Sequence, residues 1–159
     1  MKVHTITPFL WFDNQAAEAA KFYCSVFTNS KLITNVDYDN ALTGERAAVN
    51  AVTFEINGLR LTAFNGGPMF KFTEAVSLYV DCETQEDVDY YWDKFISNGG
   101  TESQCGWLKD KFGLSWQIVP AILLRLLSDP DSARSGRAMQ AMLKMNKIIV
   151  ADLEAAARG

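Results

Sequence analysis

His4 is the only histidine in 159 residues, and this limits the available chemistry before any element is placed. Imidazole pairs that hold a metal, and the Ser-His and Cys-His couples of nucleophilic catalysis, would all have to be built around one ring. Cys24, Cys82 and Cys105 are odd in number and widely spaced, with no Cys-x-x-Cys pair, so neither a disulfide framework nor a zinc cage is indicated. That usage points to a reducing, cytoplasmic setting. Cys105 stands near Lys109 and Lys111, whose charge would favour a thiolate if the thiol were exposed; the alternative is a buried, inert thiol. Lys109 and Asp110 could exchange protons in a polar cleft, or be ordinary strand charges. No residue is assigned a catalytic role, and no cofactor is expected.

The elements that would position such residues come twice. At an offset of 68 residues, Phe9-Leu10-Trp11-Phe12-Asp13 falls on Ser77-Leu78-Tyr79-Val80-Asp81. Glu18, Phe22, Tyr23 and Phe27 fall on Glu86, Tyr90, Tyr91 and Phe95, so each strand leads into a helix with aromatics at helical spacing and acidic residues near its start. Two β-rich runs follow in the first half, Lys31 to Tyr38 and Ala47 to Ile56, separated by a turn at Asn40 to Gly44. Asn57-Gly58 is then the strongest hairpin signal in the chain, leading into Leu59 to Phe64. The second half repeats the order more briefly: a helix to about Asn98, a stop at Gly99-Gly100, and strands near Thr101 to Gln104, Gly106 to Asp110 and Leu114 to Val119. Each half reads βαβββ, about residues 6–67 and 75–120. One such unit is too small to bury its helix and both sheet faces alone, which predicts an α+β fold with a curved, mixed eight-stranded sheet over residues 1–120.

Residues 121–159 read as a helical extension: Ala121 to Leu127, a turn at Ser128 to Asp131, and one long helix from Ser135 to Ala157. Met139, Met142, Met145, Ile149 and Leu153 form an apolar stripe on it. The stripe, together with open sheet edges, predicts a homodimer; the competing reading folds the tail onto its own chain. Fifteen basic against nineteen acidic residues give a net charge of −4, which offers no overall positive field for nucleic acid. No apolar run approaches the ~18 residues of a membrane span.

Three stretches carry a family resemblance: Thr7-Pro8-Phe9-Leu10-Trp11-Phe12-Asp13, Asn65-Gly66-Gly67-Pro68-Met69-Phe70-Lys71-Phe72, and the long run from Cys105 to Pro120. They resemble the PhnB-like group of the vicinal oxygen chelate superfamily, many of whose members carry the name 3-demethylubiquinone-9 3-methyltransferase. The resemblance implies paired βαβββ units and, in metalloenzymes of the superfamily, four ligands that fall here on Thr7, Thr62, Ala75 and Gln117. A hydroxyl, a methyl group and an amide are poor company for a divalent ion, so no catalytic metal is expected. The methyltransferase name lacks a glycine-rich loop opening a βαβ unit: the glycine pairs are only Gly66-Gly67 and Gly99-Gly100.

The face expected to be concave carries Phe9, Trp11, Thr62, Phe64, Trp107 and either Trp116 or Gln117, which alternate and cannot both point inward. By the superfamily pattern Gln117 points in. With Asn65 at the start of the glycine-rich segment, these residues outline a site for a small organic, apolar or planar ligand, against the alternative that the aromatics simply fill the core. The functional reading is a small-molecule-binding protein. A lyase, isomerase or oxygenase, a methyltransferase and a structural dimer or interaction protein are the alternatives.

Overall fold

Asn57 and Gly58, at φ 46° and 84°, make the two-residue turn that their sequence announces. They join β3 (Val49–Ile56) to β4 (Leu59–Asn65) in antiparallel register, with Ile56 opposite Leu59. The computed structural model describes residues 6–39 and 49–159; His4 and the turn expected at Asn40 to Gly44 lie outside them. Around that hairpin the first unit adds β1 (Phe9–Phe12), α1 (Ala16–Val26) and β2 (Ser30–Tyr38), giving a sheet of order β1-β4-β3-β2 in which β1 and β4 are parallel. The second unit repeats it with β5 (Ser77–Cys82), α2 (Gln85–Ser97), β6 (Thr101–Glu102), β7 (Trp107–Lys109) and β8 (Ser115–Pro120), in the order β5-β8-β7-β6. The eight expected strands are therefore present as two four-stranded mixed sheets, one to each βαβββ unit. The chain divides at Lys71 and Phe72, and the C-terminal helices fall with the second unit.

In each unit the helix seals one face of the sheet. Ala16, Ala19 and Ala20 let α1 approach closely, and with Tyr23 and Val26 they bury Leu10, Phe12, Val52, Phe54, Leu61 and Ala63. The Tyr23 ring stacks over Phe54 at 5.9 Å. In the second unit Val88, Trp92 and Phe95 of α2 cover Val80, Leu108, Trp116 and Ile118, with the Phe95 and Trp116 rings 4.7 Å apart. The two helices are capped differently. Thr84 and Asp87 close a capping box on α2, whereas the first N–H of α1, at Ala16, donates to the side-chain oxygen of Asn65 at 2.7 Å.

The tail departs from expectation. Ala121–Leu127 is helical (α3), but the long helix expected from Ser135 to Ala157 is two helices, α4 (Ser132–Met142) and α5 (Val150–Arg158). The break is imposed from elsewhere in the chain. The Met145 and Asn146 carbonyls accept hydrogen bonds from Cys105 and Gly106 N–H, both at 2.7 Å, so they cannot continue a helix. Ile148 plunges into the core at zero exposure. A Cβ on Gly106 would lie 2.8 Å from the Ile118 carbonyl and 3.2 Å from Ile148 Cγ1, a close approach that only glycine allows. Gln85 then restarts the helix: its Oε1 accepts from Val150 N–H at 2.7 Å, while its Nε2 donates to the Ile148 carbonyl at 3.2 Å. Met142, Met145 and Leu153 pack within a cluster formed with Val119, Leu123 and Leu126, so much of the apolar stripe has an intrachain partner.

Gln85→Ala should leave the Val150 N–H and the Ile148 carbonyl uncapped and lower stability by about 1–2 kcal/mol. The check is a lower urea midpoint together with faster amide exchange at Val150; an unchanged exchange rate would mean that α5 docks without this clamp.

Candidate functional site

Alternate residues of the first sheet turn away from α1, and the register aligns them in rows. Phe9, Thr62, Thr53 and Thr34 cross β1, β4, β3 and β2; Trp11, Phe64, Ala51 and Val36 form the next row; Val49 and Tyr38 form a third. The last of these strands joins the face only because of an irregularity. Leu32 pairs with the helix-facing Phe54, yet Thr34 pairs with Thr53, so Ile33 is an extra residue that inverts the alternation and brings Thr34, Val36 and Tyr38 to the open side.

A cavity of about 440 Å³ opens on this face. Phe9, Phe64 and Tyr38 wall it, the hydroxyls of Thr34, Thr53 and Thr62 line it, and Asp39 stands at its margin. Thr53 and Thr62 oxygens lie 3.4 Å apart, within reach of a shared proton. Phe9 and Phe64 meet at 5.4 Å between centroids, although Phe9 is 62% exposed, an unusual amount of ring to leave in water.

Of the residues expected to form the site, Phe9, Thr62 and Phe64 come together here. Trp11 is in the adjoining row, edge-on to Phe64 and Phe70 at 5.4 and 5.1 Å. Its indole N–H donates to the Gly67 carbonyl at 2.8 Å, and any side chain at Gly66 would strike its ring. Trp11 therefore fixes the glycine-rich segment and backs Phe64 rather than lining the cavity. Asn65 faces the other way and caps α1. Trp107 and Gln117 are in the second unit, paired with each other and, through Gln117, with Tyr79 on the face away from α2; Gln117 Nε2 donates to the Ser77 hydroxyl at 2.8 Å. Trp116 packs under the helix, as the alternation requires. Tyr38 and Thr34 went unread in the sequence because nothing in an isolated β-rich run announces an inserted residue.

The other reactive candidates have structural employment. Asp110 is 4% exposed; one carboxylate oxygen accepts from Phe112 and Leu114 N–H at 2.9 and 3.0 Å, and the other from the Trp116 indole at 2.9 Å. A carboxylate with those donors is committed to organising the β7–β8 turn, so it is not a proton shuttle with Lys109, whose ammonium pairs with Glu74. Burial, with the charges of Asp87 and Asp81 behind it, pushes the Cys82 thiol up to about 12, and burial also raises Cys24. Cys105 occupies a positive-φ turn position (φ 60°) anchored to Met145.

Metal-ligand chemistry does not fit the superfamily positions. Thr62 shares its hydroxyl with Thr53, Gln117 directs its amide to Ser77, and Thr7 and Ala75 bring no imidazole or carboxylate. Among the described residues no three His, Cys, Asp or Glu side chains converge to hold an ion. Nor do the glycine pairs open a nucleotide-binding helix: Gly66 and Gly67 follow β4, and Gly99 and Gly100 follow α2.

Two βαβββ units, each with its first and last strands paired in parallel and one sheet face turned away from its helix, define a vicinal oxygen chelate protein. Within that class the family model described as 3-demethylubiquinone-9 3-methyltransferase matches residues 4–119, and the chain belongs to this family. It is similar to a solved structure described as a putative 3-demethylubiquinone-9 3-methyltransferase, PhnB protein, from Bacillus cereus: 35% identity, 74% of this chain and 100% of that one, TM-score 0.65. A protein from Pseudomonas aeruginosa matches at 15% identity over 74% of this chain and 98% of its own, TM-score 0.58. The genomically encoded fosfomycin resistance protein FosX from Listeria monocytogenes, solved with Mn(II) and a sulfate ion, matches at 17% identity over 73% of this chain and 90% of its own, TM-score 0.53. At such identities these two show shared fold alone. No curated protein matches the chain.

Asp110→Ala would leave three donors unpaired in the β7–β8 turn and should cost about 3 kcal/mol. Lys109→Met, which removes only an exposed ion pair, should change stability by less than ~1 kcal/mol. Urea denaturation of both variants checks the contrast; equal losses would show that Asp110 does not organise the turn.

Proposed function

We propose that the protein binds a small, predominantly apolar or planar organic molecule on the open face of its first unit, without a catalytic metal in the superfamily positions. The observation that carries this reading is the 440 Å³ cavity, with three aromatic walls and a row of three threonine hydroxyls. Aromatic walls recognise a flat body, and a few placed hydroxyls orient it. Among the described residues the cavity supplies hydroxyls and Asp39 beside its aromatic walls, a lining that supports binding as the primary reading. The three free cysteines support a cytoplasmic location.

A thermal-shift screen of aromatic metabolites and quinone precursors tests the reading, with a saturable rise in Tm expected for at least one. Phe9→Ala should weaken that ligand about 10-fold at a stability cost below ~0.5 kcal/mol, since the ring is exposed. Trp11→Ala should cost about 3 kcal/mol through lost packing and its hydrogen bond. Undiminished affinity in Phe9→Ala would place the ligand elsewhere.

The chain is also proposed to form a homodimer, now through a sheet edge rather than the tail stripe. The edge strand β2 leaves Leu32, Ile33, Val36 and Tyr38 exposed, and an uncovered apolar edge invites pairing. Sedimentation equilibrium at micromolar concentration should give twice 17.7 kDa, reduced to the monomer by Val36→Lys. A monomeric mass for the unaltered chain would reject the dimer.

A further inference from the structure

The face of the second sheet turned away from α2 holds a separate cavity of about 220 Å³. Register places Ser77, Ser115, Lys109 and Thr101 in one row across β5, β8, β7 and β6, with Trp107 two residues along from Lys109 on the same side. Ser115 belongs to the cavity lining, yet it is only 1% exposed and its hydroxyl has no hydrogen-bond partner. A buried hydroxyl left unpaired is costly, and its usual explanation is a missing partner. Among the described residues no group lies within hydrogen-bond distance of it: the Ser77 hydroxyl accepts from Gln117, and the Glu102 carboxylate accepts from the Trp92 indole and the Asn146 amide.

Two opposite charges complete the lining. The Lys109 ammonium pairs with the Glu74 carboxylate, and both side chains stay substantially exposed, at 40% and 63%. The contact holds Glu74 below its ordinary range, chiefly through the hydrogen bond from Lys109. A ligand bearing only an acid would meet Lys109 but be repelled by Glu74; one bearing only an amine would meet the converse. The space equals roughly seven water volumes at ~30 Å³ each, which suits one small molecule rather than a single bridging water.

We propose that this cavity binds a small zwitterion of the amino-acid type. Its carboxylate lies on Lys109 and takes the Ser115 hydroxyl proton in a hydrogen bond, its ammonium lies on Glu74, and its apolar side chain lies against Trp107. The site is independent of the aromatic cavity on the first unit, and either can fail without the other.

Isothermal titration of the full chain with L-leucine tests the proposal, beside 4-methylpentanoate and 3-methylbutylamine, which keep the carbon body and one charge each. Leucine should bind at one site and each single-charge analogue at least ~10-fold more weakly, a difference of about 1.4 kcal/mol. Lys109→Met and Glu74→Gln should each abolish detectable leucine binding. Ser115→Ala should leave the thermal midpoint unchanged or raised while weakening leucine about 5-fold, a combination that a merely structural serine would not produce. Phe9→Ala should leave leucine binding intact. Absence of binding by leucine, phenylalanine and glutamine at millimolar concentration would overturn the proposal. So would equal binding of the acid alone, or loss of leucine binding in Phe9→Ala.

Discussion

The parallel pairing of the first and last strands in each unit is the constraint from which the rest follows. Phe9 through Phe12 run beside Thr62 through Asn65 in the same direction, as do Ser77 through Cys82 beside Ser115 through Pro120. Parallel neighbours cannot be joined by a tight turn, so the chain must cross over. The helix of that crossover packs on one side only, and period-two alternation sends every second side chain to the other. One set of residues is thereby committed to core: Leu10, Val52, Phe54 and Ala63 in the first unit, Val80, Trp116 and Ile118 in the second. The complementary set, including Phe9, Thr62, Ser115 and Gln117, is free to take up chemistry.

How each unit closes its helix decides which polar residues remain for that chemistry. The second helix carries its own capping box in Thr84 and Asp87. The first begins after Gln15, whose side chain makes no cap bond, and borrows Asn65 from the far end of β4. Asn65 therefore ties the parallel pair to the crossover helix, while Trp11 ties the following glycines to the same strand through Gly67. The segment after β4 is thus consumed in joining elements of its own unit, although its composition looks suited to a ligand loop.

Much of this was legible in the sequence because it is local or repeated. The Asn57-Gly58 turn needs only the positive φ that its two residues tolerate, and the 68-residue echo places each strand before its helix. Alternation says that Trp116 and Gln117 take opposite faces, and the superfamily resemblance implies which of them is buried. The failures are non-local. Asn146 and the β-branched Ile148-Ile149-Val150 weaken the run from Ser135 to Ala157 locally, but the groups that hold the interruption open, Cys105, Gly106 and Gln85, are distant in the chain. The Ile33 insertion is equally silent, because β-branched runs read the same with one residue more.

Family membership and chemistry separate at the same strand positions. The fold presents Thr62 and Gln117 toward the faces turned away from the helices, at positions where the superfamily resemblance implies metal donors. Here those positions are tied into neutral hydrogen bonds with Thr53 and Ser77. A threonine hydroxyl with a hydroxyl neighbour and an amide with a serine lower the polarity of the faces without leaving charges to desolvate, whereas a carboxylate in either place would need a cation or a compensating donor. Replacing donors by such pairs changes what the same scaffold selects. The first face carries aromatic walls, and the second carries the charges of Lys109 and Glu74. One backbone plan, used twice, thus carries two unlike surfaces, and family membership, which rests on the match over residues 4–119, specifies neither.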